Sequence, residues 1–160
     1  KEEIVIIDIQ QAVVFRDLVK PILEKKCVGC HNPNKRKGEL LLNTTEGLKA
    51  GGESGAIFVA FNPGNSLIIE RIHLPLEEQE HMPPKGKKQL KKEETSLLEW
   101  WIKEGADFQK TVSECEITED VQRILDRKMQ QQNPVFAMGL KAIIDLLLST
   151  KKITSARLSC

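Results

Sequence analysis

The chain has 160 residues, of which 40% are hydrophobic and 29% charged, and its formal net charge is +1. This length suits one domain with an extension, and the weak net charge argues against a dedicated nucleic-acid-binding domain, which usually carries a strong basic excess. No apolar run approaches the roughly 20 residues that span a bilayer, because the longest candidate, residues 143–148, is interrupted by Asp145. Aromatic residues are scarce and tyrosine is absent, so a bound flat cofactor would supply what the core lacks.

The first helix is predicted in the sequence QAVVFRDLVKPILEKK. Its apolar residues recur at helical spacing, with charged residues on the opposite face. Pro21 should divide it into two short pieces, because proline lacks an amide donor and crowds the preceding turn. Residues 1–10 before it do not form a signal peptide and are interpreted as a leader or linker.

The stretch CVGCH follows this helix directly and contains Cys27, Cys30 and His31. Two thiols separated by two residues can add across the two vinyl groups of one porphyrin, and the next residue can place an imidazole on the iron. The spacing is therefore the attachment signature of a c-type haem. A thiol-disulfide pair or half of a zinc site is the alternative. It is weaker, because no second cysteine pair lies nearby and a helix, not a strand, precedes the motif.

Loops and short helices are predicted between residues 32 and 92. After His31 the sequence is rich in Asn, Gly, Pro and Lys, which indicates a loop, a short extended piece and one helical turn. Ser66 is expected to cap a short helix over residues 67–72. The following HLPLEEQEHMPPKGKK contains three prolines and should lack regular structure.

A second strong helix is predicted from Glu93 to Gly105, with Leu97, Leu98, Trp101 and Ile102 sharing one face. This apolar face is expected to pack against the first helix.

The tail after Lys110 has two amphipathic stretches separated by Asn133 and Pro134, which indicates a helical hairpin. Its apolar face needs a partner, so we expect the tail to take part in docking or oligomerisation. Cys115 and Cys160 also lie in the tail; they are interpreted as free thiols, with a disulfide as the alternative in an exported protein.

A six-coordinate haem needs a second axial ligand from a loop, and Met82 is the predicted one. Its thioether suits ferrous iron, and the two prolines after it restrict the backbone. His81, next to Met82, is the alternative distal ligand, whereas His73 is interpreted as an ordinary surface or core residue. Met129 and Met138 lie in the tail, where packing is the simpler role.

Several runs together resemble the planctomycete-type cytochrome c domain. They lie between Val14 and Phe108 and read VFRDLVKPILEKKCVGCH, GELLL, AGGESG, NPGNSLIIERI, HMPPKGK and LLEWWIKEGADF. The resemblance implies an all-α, cytochrome c-like domain around one haem c that is covalently attached through Cys27 and Cys30. It also implies His31 and Met82 as the iron ligands, and a periplasmic or otherwise extracytoplasmic location in a bacterium.

One position departs from the family pattern. Where the family often has a hydroxyl residue as the cap of its last helix, this chain has Lys91. We therefore expect weaker capping there, by about 1 kcal/mol, and Glu94 without its reciprocal partner.

The resulting domain prediction has three parts. Residues 1–10 form the leader, residues 11–109 the haem domain, and residues 110–160 the helical extension. The predicted function is one-electron transfer by a single-haem module, which acts as a carrier more than as a catalyst. A haem-based sensor or peroxidase-like enzyme with a weak or absent distal ligand is the alternative.

The predicted partner is a separate redox protein or a fused redox domain. Lysines near the two halves of the site would form a basic ring that attracts an acidic partner. They lie in two clusters: Lys35, Arg36 and Lys37, and Lys85, Lys87, Lys88, Lys91 and Lys92. The acidic run Glu77, Glu78 and Glu80 is expected to neutralise part of this field.

Overall fold

A computed structural model describes residues 8–132 of the chain. Within this range five α-helices are present and no β-strand, which confirms the all-α fold class. The helices are α1 (Lys20–Lys26), α2 (Thr45–Ala50), α3 (Leu67–His73), α4 (Lys92–Lys103) and α5 (Glu119–Gln132). Short 3₁₀ turns span Ile9–Gln11, Lys37–Glu39, Pro63–Asn65 and Val112–Glu114.

The first predicted helix is divided at the proline, as expected. A π-helical segment, Val14–Val19, passes directly into α1, and Pro21 occupies the first turn of α1. Proline is tolerated there because an amide in the first turn has no intrahelical acceptor. The buried side chains of the two pieces include Phe15, Leu18 and Leu23.

Helix α4 packs against the π-helical segment through aromatic rings. The rings of Phe15 and Trp101 lie 5.3 Å apart between centroids, and Phe108 lies 4.5 Å from Phe15. All four residues of the predicted apolar face of α4 are buried, which confirms that prediction: Leu97, Leu98, Trp101 and Ile102. Trp100 is buried as well, with its indole nitrogen donating to the carbonyl of Glu116.

Helices α2 and α3 each begin after a hydroxyl residue, but only the first of these hydroxyls caps its helix. The Thr44 hydroxyl accepts a hydrogen bond from the amide of Gly47 and so caps α2. The expectation that the Ser66 side chain caps α3 is wrong. The buried hydroxyl of Ser66 instead accepts from the amide of Val59 and donates to the carbonyl of Asn62. It holds the loop before the helix.

The segment between α3 and α4 contains turns and bends without a helix, as the prolines predicted. The compact unit that contains α1 to α4 spans Ile7–Val121. Its two ends are joined by main-chain bonds, from the Val14 amide to the Lys110 carbonyl and from the Val112 amide to the Ala12 carbonyl.

Helix α5 passes at Gln122 into a second unit, which is described as far as Gln132. The second half of the predicted hairpin, and Cys160, lie outside the described residues. Among residues 8–132 no helix is long and apolar enough to cross a membrane. The boundaries predicted for the three parts of the chain stay a prediction.

Candidate functional site

The end of α1 delivers the two cysteines and the histidine to one place. The amide of Cys27 still bonds to the Leu23 carbonyl, and the amides of Cys30 and His31 both bond to the Cys27 carbonyl. The chain therefore closes into tight turns over the five residues of the motif. Cys27, Cys30 and His31 all line a single cavity of about 620 Å³.

Met82 lines the same cavity, although it lies 51 positions after His31 in the chain. The structure thus brings together the four side chains that were predicted as haem contacts. Much of the remaining wall is apolar and comes from Leu40, Leu42, Ile57, Leu67, Ile68, Ile72 and Leu90. A volume of this size with a few convergent polar groups is typical of cofactor sites.

Glycines allow two loops to approach each other at one edge of this cavity. The amide of Glu53 bonds to the carbonyl of Gly38 at 2.9 Å. A Cβ added at Gly52 would lie 2.5 Å from that same carbonyl oxygen, which is closer than side chains tolerate. Both glycines line the cavity. Gly52 is therefore required by the close packing of backbone against backbone.

The ring of His31 is oriented by the main chain. Its Nδ1 lies 2.9 Å from the carbonyl oxygen of Lys37. Burial lowers the pKa of His31, partly opposed by this hydrogen bond, and favours the neutral imidazole. When Nδ1 carries the proton and donates to Lys37, Nε2 carries the lone pair, which is the arrangement of a metal-binding histidine.

The thiol of Cys27 is not set up as a redox thiolate. Burial raises its pKa to about 12, whereas thiols that exchange disulfides usually have a lowered pKa. Cys27, Cys30 and Cys115 are all unpaired. Within residues 8–132 no group of three or more His, Cys, Asp or Glu side chains is arranged to hold a metal ion.

The loop that carries Met82 is fixed by several hydrogen bonds. The Met82 amide donates to the carbonyl of Arg71 in α3 at 3.0 Å. Pro83, which follows, is buried, and Met82 itself is half-buried. Met82 thus lines the cavity that contains His31, and also a second cavity, from a loop that is tied to α3.

His81 and His73 lie elsewhere. His81 is buried and lines a second cavity, of about 480 Å³, rather than the one that contains His31. Its Nδ1 lies 2.7 Å from the carbonyl oxygen of Leu74, and its Nε2 lies 2.8 Å from the side-chain oxygen of Gln89. The exposed His73 pairs with Glu99 at 2.7 Å. Both ring nitrogens of His81 therefore have partners within the protein.

Lys26 is a buried cation that the sequence interpretation did not single out. Its side chain is 5% exposed, and its ammonium lies 3.1 Å from a carboxylate oxygen of Glu94 and 2.6 Å from the carbonyl oxygen of Gln89. The Lys91 side chain makes no cap bond, so Glu94 lacks the reciprocal partner of a capping box, as expected, but it has other partners. Its carboxylate also accepts from the Lys91 amide at 2.7 Å. Although burial opposes ionisation, these hydrogen bonds hold the pKa of Glu94 below its usual range.

Arg71 is the second cation beside the cavity that was not anticipated. Its Nη2 pairs with Glu80 at 3.1 Å and donates to the Ser54 hydroxyl at 3.3 Å. Its Nε is buried and has no hydrogen-bond partner among the described residues. Arg71 thus places a partly satisfied positive charge in the wall of the cavity. No sequence pattern marked it, because it lies among ordinary residues of a short amphipathic helix.

Exposed lysines surround the mouth of the cavity. We call this set the basic rim: Lys25, Lys35, Lys37, Lys87 and Lys88. None of them forms an ion pair with another described residue, whereas Glu24, the one acidic residue described in the lining, pairs with Lys20.

The basic rim overlaps only partly with the basic ring expected from the sequence. Lys91 and Lys92 begin α4 and do not line this cavity. Lys85 is paired with Glu77 at 2.7 Å, and Arg36 with Glu39 at 3.2 Å. The acidic run therefore neutralises Lys85 and leaves the rim charged.

The residues of the cavity fit a haem c. Two thiols are available for the vinyl groups, an imidazole and a thioether for the iron, and an apolar wall for the ring. The cationic Arg71 and the basic rim can pair with the carboxylates of the macrocycle. Each class of contact that this group needs is present on one cavity.

Comparison with protein families gives one match. Residues 27–86 match the family model described as Planctomycete cytochrome C. The matched stretch begins at the first motif cysteine and includes His31 and Met82. No curated protein and no solved structure matches the chain.

Proposed function

Because residues 27–86 match the planctomycete cytochrome c family model, we propose that the chain is a single-haem module for one-electron transfer. In this proposal His31 and Met82 are the two axial ligands of the iron. The observation that carries it is that Cys27, Cys30, His31 and Met82 all line one cavity. Haem supplies the redox chemistry when bound, since its iron alternates between the ferric and ferrous states.

Attachment uses the two thiols of the motif. Cys27 and Cys30 would hold the haem covalently, because a thiol can add its S–H across a vinyl C=C bond with no leaving group. The tight turns from Cys27 to His31 bring these residues and Cys30 to the wall of one cavity.

In electron transfer, the protein would restrict the motion of the two residues proposed to bind the iron. The Lys37 carbonyl fixes the ring of His31, and the Arg71 carbonyl fixes the backbone at Met82. A ligand that is already ordered loses little further entropy when the oxidation state of its metal changes. A thioether in place of a second imidazole also raises the reduction potential.

Met82 is a better distal ligand than His81 on the described contacts. His81 lines the other cavity, and its nitrogens are engaged by Leu74 and Gln89. Both nitrogens face oxygen acceptors, and a neutral ring donates to only one of them. To reach the iron the buried ring would have to leave these contacts, at a cost of about 1 to 3 kcal/mol for an orphaned group. Met82 needs no such rearrangement.

The basic rim supports an acidic redox partner, as a separate protein or a fused domain. Its five lysines are exposed and lack ion pairs within residues 8–132. They surround the mouth of the cavity, where a bound cofactor would come closest to a partner. Complementary charge there would speed encounter. Covalent haem attachment further supports an extracytoplasmic location in a bacterium.

The test is the absorption spectrum of purified holoprotein in both oxidation states, with and without carbon monoxide. A weak far-red band in the ferric form, with no rapid carbon monoxide binding by the ferrous form, is expected for His/Met ligation. Rapid carbon monoxide binding would instead favour the sensor or peroxidase-like alternative, because it requires an open or easily vacated iron position.

A further inference from the structure

We propose that Gln89 is the positioning residue of the Met82 loop, which we define as residues 82–88. This inference rests on the proposed His31/Met82 ligation and adds the group that holds Met82 in place. Gln89 lies seven positions after Met82 and is half-buried. It touches neither the iron ligands nor the cysteines through any described hydrogen bond, so its effect on the site is indirect.

The side-chain nitrogen of Gln89 lies at the centre of the loop. It is 2.9 Å from the carbonyl oxygen of Pro83, 3.0 Å from that of Lys87 and 3.3 Å from that of Pro84. An amide has two N–H donors, and three acceptors of one short loop share them. The carbonyls of Pro83 and Pro84 belong to the residues that directly follow Met82.

The other polar groups of Gln89 anchor it to the rest of the domain. Its side-chain oxygen lies 2.8 Å from Nε2 of His81, and its main-chain oxygen accepts from Lys26 at 2.6 Å. Lys26 immediately precedes Cys27. Gln89 therefore connects the Met82 loop to the residue just before the cysteine motif, and through His81 to the end of α3.

The loop depends on these bonds because it has no helix or strand of its own. Two of its residues are prolines, which have no amide to donate, and the one bond described between its own main-chain groups runs from the Lys87 amide to the Pro84 carbonyl at 3.0 Å. Without the Gln89 amide the loop would visit more conformations, and Met82 would spend less time on the iron.

The experiment uses three holoprotein variants. Gln89→Ala removes the side chain, whereas Gln89→Glu keeps its size and an oxygen toward His81 but has no N–H for the three carbonyls. Gln109→Ala is the matched control, because the exposed Gln109 side chain forms no described hydrogen bond. Covalent haem content and far-UV circular dichroism verify that each variant is folded.

Two readouts report on Met82. One is the intensity of the far-red band, and the other is the rate at which cyanide binds ferric haem, which requires Met82 to leave the iron. We expect both Gln89 variants to bind cyanide about tenfold faster than the wild type, as suits the loss of a few modest hydrogen bonds, and to have a weaker far-red band. Gln109→Ala should match the wild type.

The outcomes separate this inference from the proposed function. A wild type without a far-red band contradicts Met82 ligation and overturns both. If the wild type has the far-red band and both folded Gln89 variants bind cyanide at the wild-type rate, the role of Gln89, but not Met82 ligation, is overturned. A fast Gln89→Ala with a wild-type-like Gln89→Glu also overturns it, because the N–H donors would then be dispensable. If one Gln89 variant fails to fold, the cyanide-binding rate of the other still tests the role. If neither folds, Gln89 is needed for the whole fold, and its specific role in positioning Met82 is overturned.

Discussion

The ammonium of Lys26 lies 2.6 Å from the main-chain oxygen of Gln89, which joins the residue before Cys27 to the loop that carries Met82. The same ammonium pairs with Glu94 in the first turn of α4. One buried cation thus links the cysteine motif, the Met82 loop and the helix that forms the core. The two halves of the site are 51 positions apart in sequence, and this contact is one physical reason that they meet.

Removing the charge of Glu94 should destabilise the protein in a pH-dependent way. Glu94→Gln leaves Lys26 buried without its counter-ion, and we expect a loss of about 1 to 3 kcal/mol in the free energy of unfolding at pH 7. The folded-state pKa of Glu94 is lowered, so its contribution is fully present above its ordinary value of 4.5. It is lost as pH falls through the folded-state pKa.

Urea unfolding of wild type and variant across this pH range measures the effect. Glu53→Gln is the control, because Glu53 is exposed and has no described ion pair. The difference between wild type and Glu94→Gln should shrink toward acid pH. A difference that stays constant down to pH 2 would contradict an ionic origin.

The helices of the domain were predictable because their signals are local. Apolar spacing, Pro21 and the run of prolines around Met82 each act on neighbouring residues. The sequence also indicated the four predicted haem contacts, which all line the cavity: Cys27, Cys30, His31 and Met82. Motif spacing and the shortage of methionines left few other candidates.

Lys26, Arg71 and Gln89 escaped prediction for a physical reason. Each lies among residues of similar type, and its role comes from burial and from partners distant in the chain. Glu94 shows the same limit. The sequence indicated a missing cap partner, whereas the fold supplies Lys26 from 68 positions away. At Ser66 the start of the helix was predicted correctly, but the hydroxyl bonds to the preceding loop and not to the helix.

The aromatic cluster should dominate the stability of the core. Phe15 is 5% exposed and its ring contacts Trp101 and Phe108. Phe15→Ala is therefore expected to cost about 3 to 5 kcal/mol. Phe61→Ala, at a residue 74% exposed, should change stability by about 0.5 kcal/mol or less. Chemical denaturation of the two variants measures the difference, and equal losses would contradict the described packing.

Charge reversal in the basic rim should slow reaction with anions. Lys88→Glu is expected to lower the rate of oxidation by an anionic iron complex about threefold to tenfold at low ionic strength, because the field at the cavity mouth weakens. High salt should remove the effect. Lys103→Glu makes the same charge change on an exposed residue outside the rim. Stopped-flow rates that fall equally for both variants would show that only net charge matters.

The two motif cysteines should carry the haem independently. Cys27→Ser and Cys30→Ser each leave one thiol for attachment, so we expect reduced covalent haem in each single variant and none in the double variant. Mass spectrometry of the denatured chain measures this directly. Cys115→Ser should retain full haem, because Cys115 does not line the cavity. Covalent haem in the double variant would contradict the assigned attachment sites.

The ferric far-red band of Met82→Ala, compared with that of Met129→Ala, tests the central assignment most directly. Both variants lose one thioether, but Met129 lies in α5 and does not line the cavity that contains His31. We predict that Met82→Ala lacks the band and gains rapid carbon monoxide binding in the ferrous state, while Met129→Ala retains the wild-type spectrum. An unchanged spectrum in Met82→Ala would contradict Met82 as the distal ligand.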